Sequence, residues 1–236
     1  MFNALFLKKN ILVAVIIAVA ALAPTIAFFS LNATPSDARA MPFTVVIDAG
    51  HGGIDGGVSG VSTGVKESDL NLAYAKSLKK YFLSSGFDVI MTRSTSAGLY
   101  GRATSSLKKT DMKNRKRIIE KAVPDLVISI HMNKYPLSSR RGAQVFYKQG
   151  DEAGKQLASC VQKELNELKQ APRECFELGG DYYILNVSPC PAIIAECGFL
   201  SNAEDEALLL NETYKEELCY AIYKGAVVFL SEPGEN

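Results

Sequence analysis

The stretch FTVVIDAGHGG, residues 43–53, joins an apolar run to a histidine that lies among glycines. Phe43 to Ile47 is predicted to be a buried strand, because its residues are apolar or β-branched and show no helical spacing. The glycines that follow permit backbone turns closed to other residues. A second predicted strand, Asp125 to Ile130, also leads directly to a histidine, His131. The chain therefore repeats one local arrangement, in which an imidazole stands at the end of a buried strand.

Outward from these two strands, apolar strands and amphipathic helices alternate along the chain. The alternation predicts a three-layer α/β domain with helices on both faces of a central sheet. Further strands are predicted at Phe87–Met91, Ala143–Tyr147, Tyr182–Leu185 and Ala192–Ala195. Helices are predicted over Leu70–Phe82, Asp111–Ala122, Ala153–Leu168 and Tyr214–Phe229.

The N-terminal segment is predicted to be a targeting or anchoring element. Lys8 and Lys9 precede an apolar run, Ile11 to Leu31, whose length of roughly 20 residues suffices to span a bilayer. Positive charge before the run keeps that end inside and places the rest of the chain outside the membrane. Ala38-Arg39-Ala40 matches a signal-peptidase pattern, so a retained anchor and a cleaved signal stay open. The predicted division is a signal or anchor at 1–31, a linker at 32–42, a catalytic domain at 43–232 and a tail at 233–236.

Charge and cysteine content exclude several classes of protein. A net charge of +1 offers no basic stripe of the kind that nucleic acid requires. Five cysteines without a C-x-x-C pair do not form a disulfide framework or a cysteine-rich zinc site. Cys197 leaves a thiol nucleophile open, although neither histidine is its sequence neighbour and burial is the commoner fate of cysteine.

The two histidines and two glutamates are the candidate site residues. Because sites of open α/β sheets collect beyond the carboxyl ends of strands, His51 and His131 are expected to face one cleft and bind a metal. Glu67, at the start of a helix, is either a third ligand or an ordinary helix-terminal charge. Glu196 lies between an apolar strand and Cys197-Gly198, where burial would raise its pKa towards the range of a general base. The glycine-rich loop lacks the lysine of a phosphate-binding loop, and no G-x-S-x-G esterase motif occurs.

Four ordered motifs resemble the zinc-dependent N-acetylmuramoyl-L-alanine amidases. They are VVIDAGHGG at 45–53, KESDLNL at 66–72, SIHMN at 129–133 and ECGFLSN at 196–202. The resemblance implies that His51, Glu67 and His131 bind Zn²⁺, that Glu196 acts in catalysis and that the central sheet is mostly parallel. Arg115 resembles an arginine that recurs before the second histidine motif, and no role is assigned to it. Cys197 departs from the family pattern, in which a smaller residue is usual.

The implied activity is hydrolysis of the amide bond between N-acetylmuramic acid and L-alanine in peptidoglycan. The short chain and its N-terminal apolar segment most resemble the sporulation and germination branch, of the CwlD type, which modifies spore cortex. The expected partners are peptidoglycan, the membrane if the N-terminal segment is retained, and no nucleic acid, while a protein activator stays open. The alternatives are a zinc metallopeptidase or deacetylase of the cell wall, or a non-catalytic peptidoglycan-binding protein.

Overall fold

The computed structural model describes residues 43–172 and 174–231. The predicted anchor, linker and tail lie outside these residues, and the limits of the catalytic domain, 43–232, stay a prediction. Within the described part of the chain, the helices are too short or too polar to cross a membrane.

A six-stranded sheet forms the centre of the domain, as the alternating pattern predicts. Its strands run in the order β2-β1-β3-β6-β4-β5. All neighbouring pairs are parallel except β4 and β6, which are antiparallel. The strands are β1 (Thr44–Ala49), β2 (Asp88–Met91), β3 (Leu126–Asn133), β4 (Gln144–Lys148), β5 (Leu178–Gly180) and β6 (Ala192–Phe199).

Helices cover both faces of the sheet and enclose two hydrophobic cores. Side chains alternate along β1, so Val45 and Ile47 enter the larger core and Val46 enters the smaller one. The larger core packs against α1, α3 and α6, whereas the smaller core packs against α2 and α4. The helices are α1 (Glu67–Ser84), α2 (Leu107–Ala122), α3 (Glu152–Asn166), α4 (Tyr183–Asn186), α5 (Ala203–Leu209) and α6 (Glu212–Ser231).

Helices α3 and α6 cross closely at Gly225. A Cβ atom at this position would lie 2.5 Å from the Cα atom of Val161 and 2.8 Å from the carbonyl oxygen of Cys160. Only a residue without a side chain lets the two backbones approach this closely. The close contact completes the larger core under the sheet.

Three predicted strands differ from the structure: one is not a strand, and two end too early. Tyr182–Leu185 is not a strand, because Tyr183–Asn186 forms a helical turn that buries Ile184 and Leu185 against the smaller core. A short apolar run does not distinguish these two structures. Strand β5 and helix α5 were not predicted, although Asn202 caps α5 by accepting hydrogen bonds from the backbone of Glu204 and Asp205, both at 2.9 Å.

The other two corrections concern the candidate site itself. Strand β3 continues to Asn133 and strand β6 continues to Phe199, so His131 and Glu196 lie within strands rather than after them. Backbone pairing does not depend on side-chain polarity, and it therefore continues past the polar residue. Hydrophobic pattern ends a strand too early at such a position.

Candidate metal centre and catalytic cleft

His131 and Glu196 are direct neighbours on adjacent strands. They are register partners in the parallel pair of β3 and β6, which places both side chains on the same face of the sheet. Both are partly exposed, and Glu196 is the one residue of the described strand β6 that is not fully buried. The sheet thus opens to a cleft at one point, which is where these two polar side chains lie.

His51 reaches the same cleft from the turn after β1. Its backbone φ angle is 59°, which lies in the left-handed region. This conformation is energetically unfavourable for any residue that has a side chain. Its Nε2 atom lies 3.2 Å from Oε1 of Glu67, and its Nδ1 atom lies 2.9 Å from Oδ1 of Asp55. Asp55 therefore faces the side of the imidazole that points away from Glu67.

Glu67 begins α1 and is 3% exposed. Its Oε2 atom accepts a hydrogen bond from the backbone of Val58 at 2.9 Å, and its Oε1 atom accepts one from the Asn71 amide at 3.2 Å. Oε1 also lies 2.9 Å from Nδ1 of His131. Burial alone would raise the pKa of Glu67, but the two histidines outweigh burial and lower the pKa well below its usual range. The carboxylate is therefore ionised, as a metal ligand must be.

The three side chains converge as metal ligands do. One donor atom from each of His51, Glu67 and His131 lies within 4.8 Å of the others. Two imidazoles and one carboxylate form a ligand set that suits a catalytic zinc ion and leaves a position open. The backbone is shaped around them, since a Cβ atom on Gly50 would lie 2.2 Å from the His131 ring and one on Gly57 would lie 2.4 Å from Oε2 of Glu67. This donor set fits a divalent metal.

Glu196 differs chemically from Glu67. Burial raises the pKa of Glu196 to about 7, while His131 lowers it and the charge of Glu67 raises it by smaller amounts. Its Oε2 atom is buried and has no hydrogen-bond partner among residues 43–172 and 174–231. The carboxyl group lines a cleft of about 340 Å³ together with His51, His131 and Tyr182. A carboxyl group with a pKa near neutrality can both accept and return a proton.

Two buried arginines hold the loop that carries His51. Arg115, on α2, is 1% exposed, forms ion pairs with Asp48 at 2.5 Å and Asp111 at 2.6 Å, and donates to the carbonyl oxygen of His51 at 2.5 Å. Arg93 donates to the carbonyl oxygen of Gly50 at 2.8 Å. Burial would raise the pKa of Asp48, but Arg115 and hydrogen-bonding hydroxyl groups lower it to about 2. The left-handed turn at His51 is thus fixed by charged groups from helix α2 and from the segment after strand β2.

Sequence reasoning missed most of this supporting structure. Asp48 stands in an apolar strand, and an acidic residue in such a run was a signal that it needs a buried cationic partner. The roles of Asp55, Arg93 and Arg115 had no local signal, because each depends on contacts across the fold. Cys197 is 1% exposed, and burial raises its pKa well above the usual value. A buried thiol of this kind is unsuited to nucleophilic attack.

Comparison with known proteins agrees with this geometry. The family model for N-acetylmuramoyl-L-alanine amidase matches residues 45–227. The chain belongs to this amidase family. The amidase is 33% identical over 195 residues to the germination-specific N-acetylmuramoyl-L-alanine amidase of Bacillus subtilis (strain 168), with 81% of each protein covered.

Solved structures of amidases have the same fold. The CwlD amidase from Clostridioides difficile, determined in complex with the GerS lipoprotein, is 38% identical and superposes with a TM-score of 0.75, covering 80% of this chain and 98% of that one. An N-acetylmuramoyl-L-alanine amidase from Clostridium difficile 630 is 28% identical with a TM-score of 0.72, covering 82% and 99%. The predicted family and fold class are therefore confirmed.

Proposed function

We propose that the chain is a zinc-dependent N-acetylmuramoyl-L-alanine amidase that removes peptides from the glycan of peptidoglycan, in spore cortex. The observation that carries the proposal is that His51, Glu67 and His131 converge at one point, and that the two histidines line a cleft together with Glu196, whose pKa is raised to about 7. The germination-specific relative and the CwlD structure support the spore assignment.

His51, Glu67 and His131 would hold the zinc ion. When bound, zinc supplies Lewis-acid polarisation of the scissile carbonyl group and makes the attacking water more acidic. The protein's own part is to keep Glu67 ionised and to orient both imidazoles. Hydrogen bonds from Val58, Asn71 and the backbone of Met132 fix Glu67, and the Asp55 carboxylate faces the outer nitrogen of His51.

Glu196 acts as the proton carrier in this proposal. Its unpartnered Oε2 atom accepts the proton of the attacking water as the new carbon–oxygen bond forms. The same carboxyl group then donates that proton to the departing nitrogen of L-alanine as the amide bond breaks. A pKa near neutrality suits both steps, because neither protonation state is strongly favoured.

Two variants test the assignment of these residues. Glu196→Gln should lower turnover by about two to four orders of magnitude with zinc still bound, because it removes only the proton carrier. His131→Ala should lose zinc, which metal analysis of the purified protein measures. Glu217→Gln, an exposed glutamate on α6, is the matched control and should change neither property. Full activity of zinc-loaded Glu196→Gln would reject the proposed base.

Product analysis tests the reaction. Purified peptidoglycan digested by the full chain should yield a free L-alanine amine and an intact, acetylated glycan. A new peptide end inside the stem would instead identify a metallopeptidase, and loss of acetate would identify a deacetylase. Binding without any new end would identify a non-catalytic wall protein.

We also propose that the enzyme acts outside the cytoplasmic membrane and binds a lipoprotein partner. Peptidoglycan lies beyond the membrane, and the basic residues before the apolar N-terminal run favour that orientation. The related CwlD amidase forms a complex with the GerS lipoprotein. Co-elution of the purified chain with a GerS-type lipoprotein tests the partner, and two separate peaks at micromolar concentration would reject it.

A further inference from the structure

A second groove runs along the outer side of helix α2, directly beside the catalytic cleft. Five of its eight lining side chains are cationic, and we call it the basic groove: Lys108, Lys109, Lys113, Lys116 and Arg117, with Met112, Glu120 and Tyr183. Lys108 and Tyr183 also line the catalytic cleft, as does Met112. The two depressions are therefore adjacent, and a ligand that extends from the cleft across these shared side chains reaches the basic groove.

The charge of this groove is local and largely uncompensated. The whole chain has 26 basic and 25 acidic residues, so the cluster does not reflect a generally basic protein. Glu120 is the one acidic residue among those lining the groove, and it lies 3.5 Å from Lys116. Within the described chain, Lys109, Lys113 and Arg117 form no ion pair, whereas Lys108 interacts electrostatically with Asp55. The acid nearest in sequence, Asp111, is turned inward to Arg115.

The cationic residues repel one another along the helix. Lys109, Lys113 and Arg117 follow at intervals of four residues, so like charges lie one above the other on the helix surface. The first turn of α2 contains two lysines and no acidic residue, although the helix dipole favours the opposite charge there. A bound anion would relieve both effects.

The stem peptide of peptidoglycan supplies anionic groups that suit a basic groove. Its acetylated glycan is uncharged, whereas its stem peptide carries a free α-carboxylate on the second residue, D-glutamate, and another carboxylate at its C-terminus. The rise from Lys109 to Arg117 is about 12 Å along the helix. A stem of four extended residues spans about 13–14 Å. The stem peptide thus matches the basic groove in both charge and length.

We infer that the basic groove binds the carboxylates of the stem peptide while the scissile amide lies in the catalytic cleft. This inference rests on the proposed amidase function. It specifies that the stem peptide lies on the α2 side of the catalytic cleft. The groove would then recognise the substrate, because its cationic side chains contact the peptide and do not contact the reacting atoms.

The test compares two triple variants in a non-cleaving background. The full chain with Glu196→Gln, loaded with zinc, receives Lys109→Gln, Lys113→Gln and Arg117→Gln. The matched control receives Lys76→Gln, Lys155→Gln and Lys163→Gln, which are exposed lysines outside the groove. Lys108 is left unchanged because it also lines the catalytic cleft. Both proteins are titrated onto peptidoglycan freed of other anionic polymers, with native stems or with stem carboxylates converted to amides.

The groove variant should bind native peptidoglycan about tenfold more weakly than the control variant, since each exposed ion pair contributes a factor of about two to three. Amidated stems should reduce binding of the control variant by a similar factor and leave the groove variant unaffected. Equal binding of both variants to native stems would overturn the inference. The inference would also be overturned if the groove variant bound native and amidated stems more weakly than the control variant by the same factor. The groove would then attract peptidoglycan without binding the carboxylates of the stem peptide.

Two features keep this test independent of folding and of the amidase reaction. The amidated substrate probes an unaltered groove, so it is informative even where the triple variant is unstable. Binding is measured without cleavage, so failure of the amidase proposal appears separately, as absence of free L-alanine amine with the unmodified chain. In a chain that keeps Glu196 and can therefore cleave, the three groove substitutions should raise KM about tenfold with little change in kcat.

Discussion

Replacing Arg115 by methionine should destabilise the domain severely and weaken metal binding. The substitution keeps most of the side-chain volume but removes the guanidinium group, which pairs with Asp48 and Asp111 and donates to the His51 carbonyl oxygen. Asp48, 2% exposed, would be left as a buried carboxylate with only hydroxyl partners. Removal of one member of a buried ion pair costs about 3–5 kcal/mol.

The pKa of Asp48 gives an independent scale for this loss. Its reduction from 3.8 to about 2 corresponds to about 2 kcal/mol of stability at neutral pH. Because burial acts in the opposite direction, the combined contribution of Arg115 and of the Ser129 and Thr92 hydroxyl groups exceeds this net value. The lowered pKa means that the stability is present above pH 3.8 and is lost as the pH falls through about 2. Without Arg115, burial should raise the pKa of Asp48 above 3.8, so the difference between wild type and variant should shrink between pH 7 and pH 3.

Urea unfolding of the zinc-free protein at pH 7 and pH 3 measures both quantities. Arg117→Met, an exposed arginine on the same helix, is the control for loss of charge and should cost at most about 0.5 kcal/mol. Zinc affinity by chelator competition should fall for Arg115→Met, because the loop of His51 loses a hydrogen bond that holds its left-handed turn. Equal stability of the two variants at pH 7, within about 0.5 kcal/mol, would refute the reasoning.

Three further predictions address the site and the core. Asp55→Asn should lower zinc affinity about 10–100-fold in chelator competition, because it weakens the partner that orients His51. Glu196→Gln should stabilise the zinc-free protein by up to about 3 kcal/mol at pH 8 and not at pH 4, measured by urea unfolding. A raised pKa means that this carboxyl group favours folding below pH 4.5 and loses that contribution as the pH rises through about 7. Gly225→Ala should cost about 1–3 kcal/mol, because its Cβ atom would lie 2.5 Å from Cα of Val161.

Controls separate these effects from general ones. Asp69→Asn alters an exposed acid in the first turn of α1 and should leave zinc affinity unchanged. Val228→Ala alters the exposed side of α6 and should cost less than about 0.5 kcal/mol. A stability gain in Glu196→Gln that does not change with pH would contradict the burial argument. Unaltered zinc affinity in Asp55→Asn would show that His51 is oriented by other contacts.

The local pattern of apolar residues was sufficient to predict the helices and strands that bury a continuous apolar surface. The first strand is a continuous apolar run, the helices Leu70–Phe82 and Tyr214–Phe229 are predicted from apolar residues that recur on one side, and the structure contains all three elements. Pattern failed where burial depends on distant residues. Tyr183 to Asn186 form a helical turn because the smaller core accepts Ile184 and Leu185 there, and nothing within those four residues specifies that contact.

By itself, the sequence determined that the chain forms an α/β domain and which family it resembles. It also identified the four candidate site residues within ordered motifs. Only the tertiary structure decided that His51, Glu67 and His131 share a point in space and that His131 and Glu196 are register partners. It also decided that α2 turns Arg115 inward to the loop and presents its lysines to a groove beside the cleft. The physical reason is range: propensity and apolar spacing act between near neighbours in the chain, whereas ligand geometry, burial and pKa arise from groups brought together by the fold.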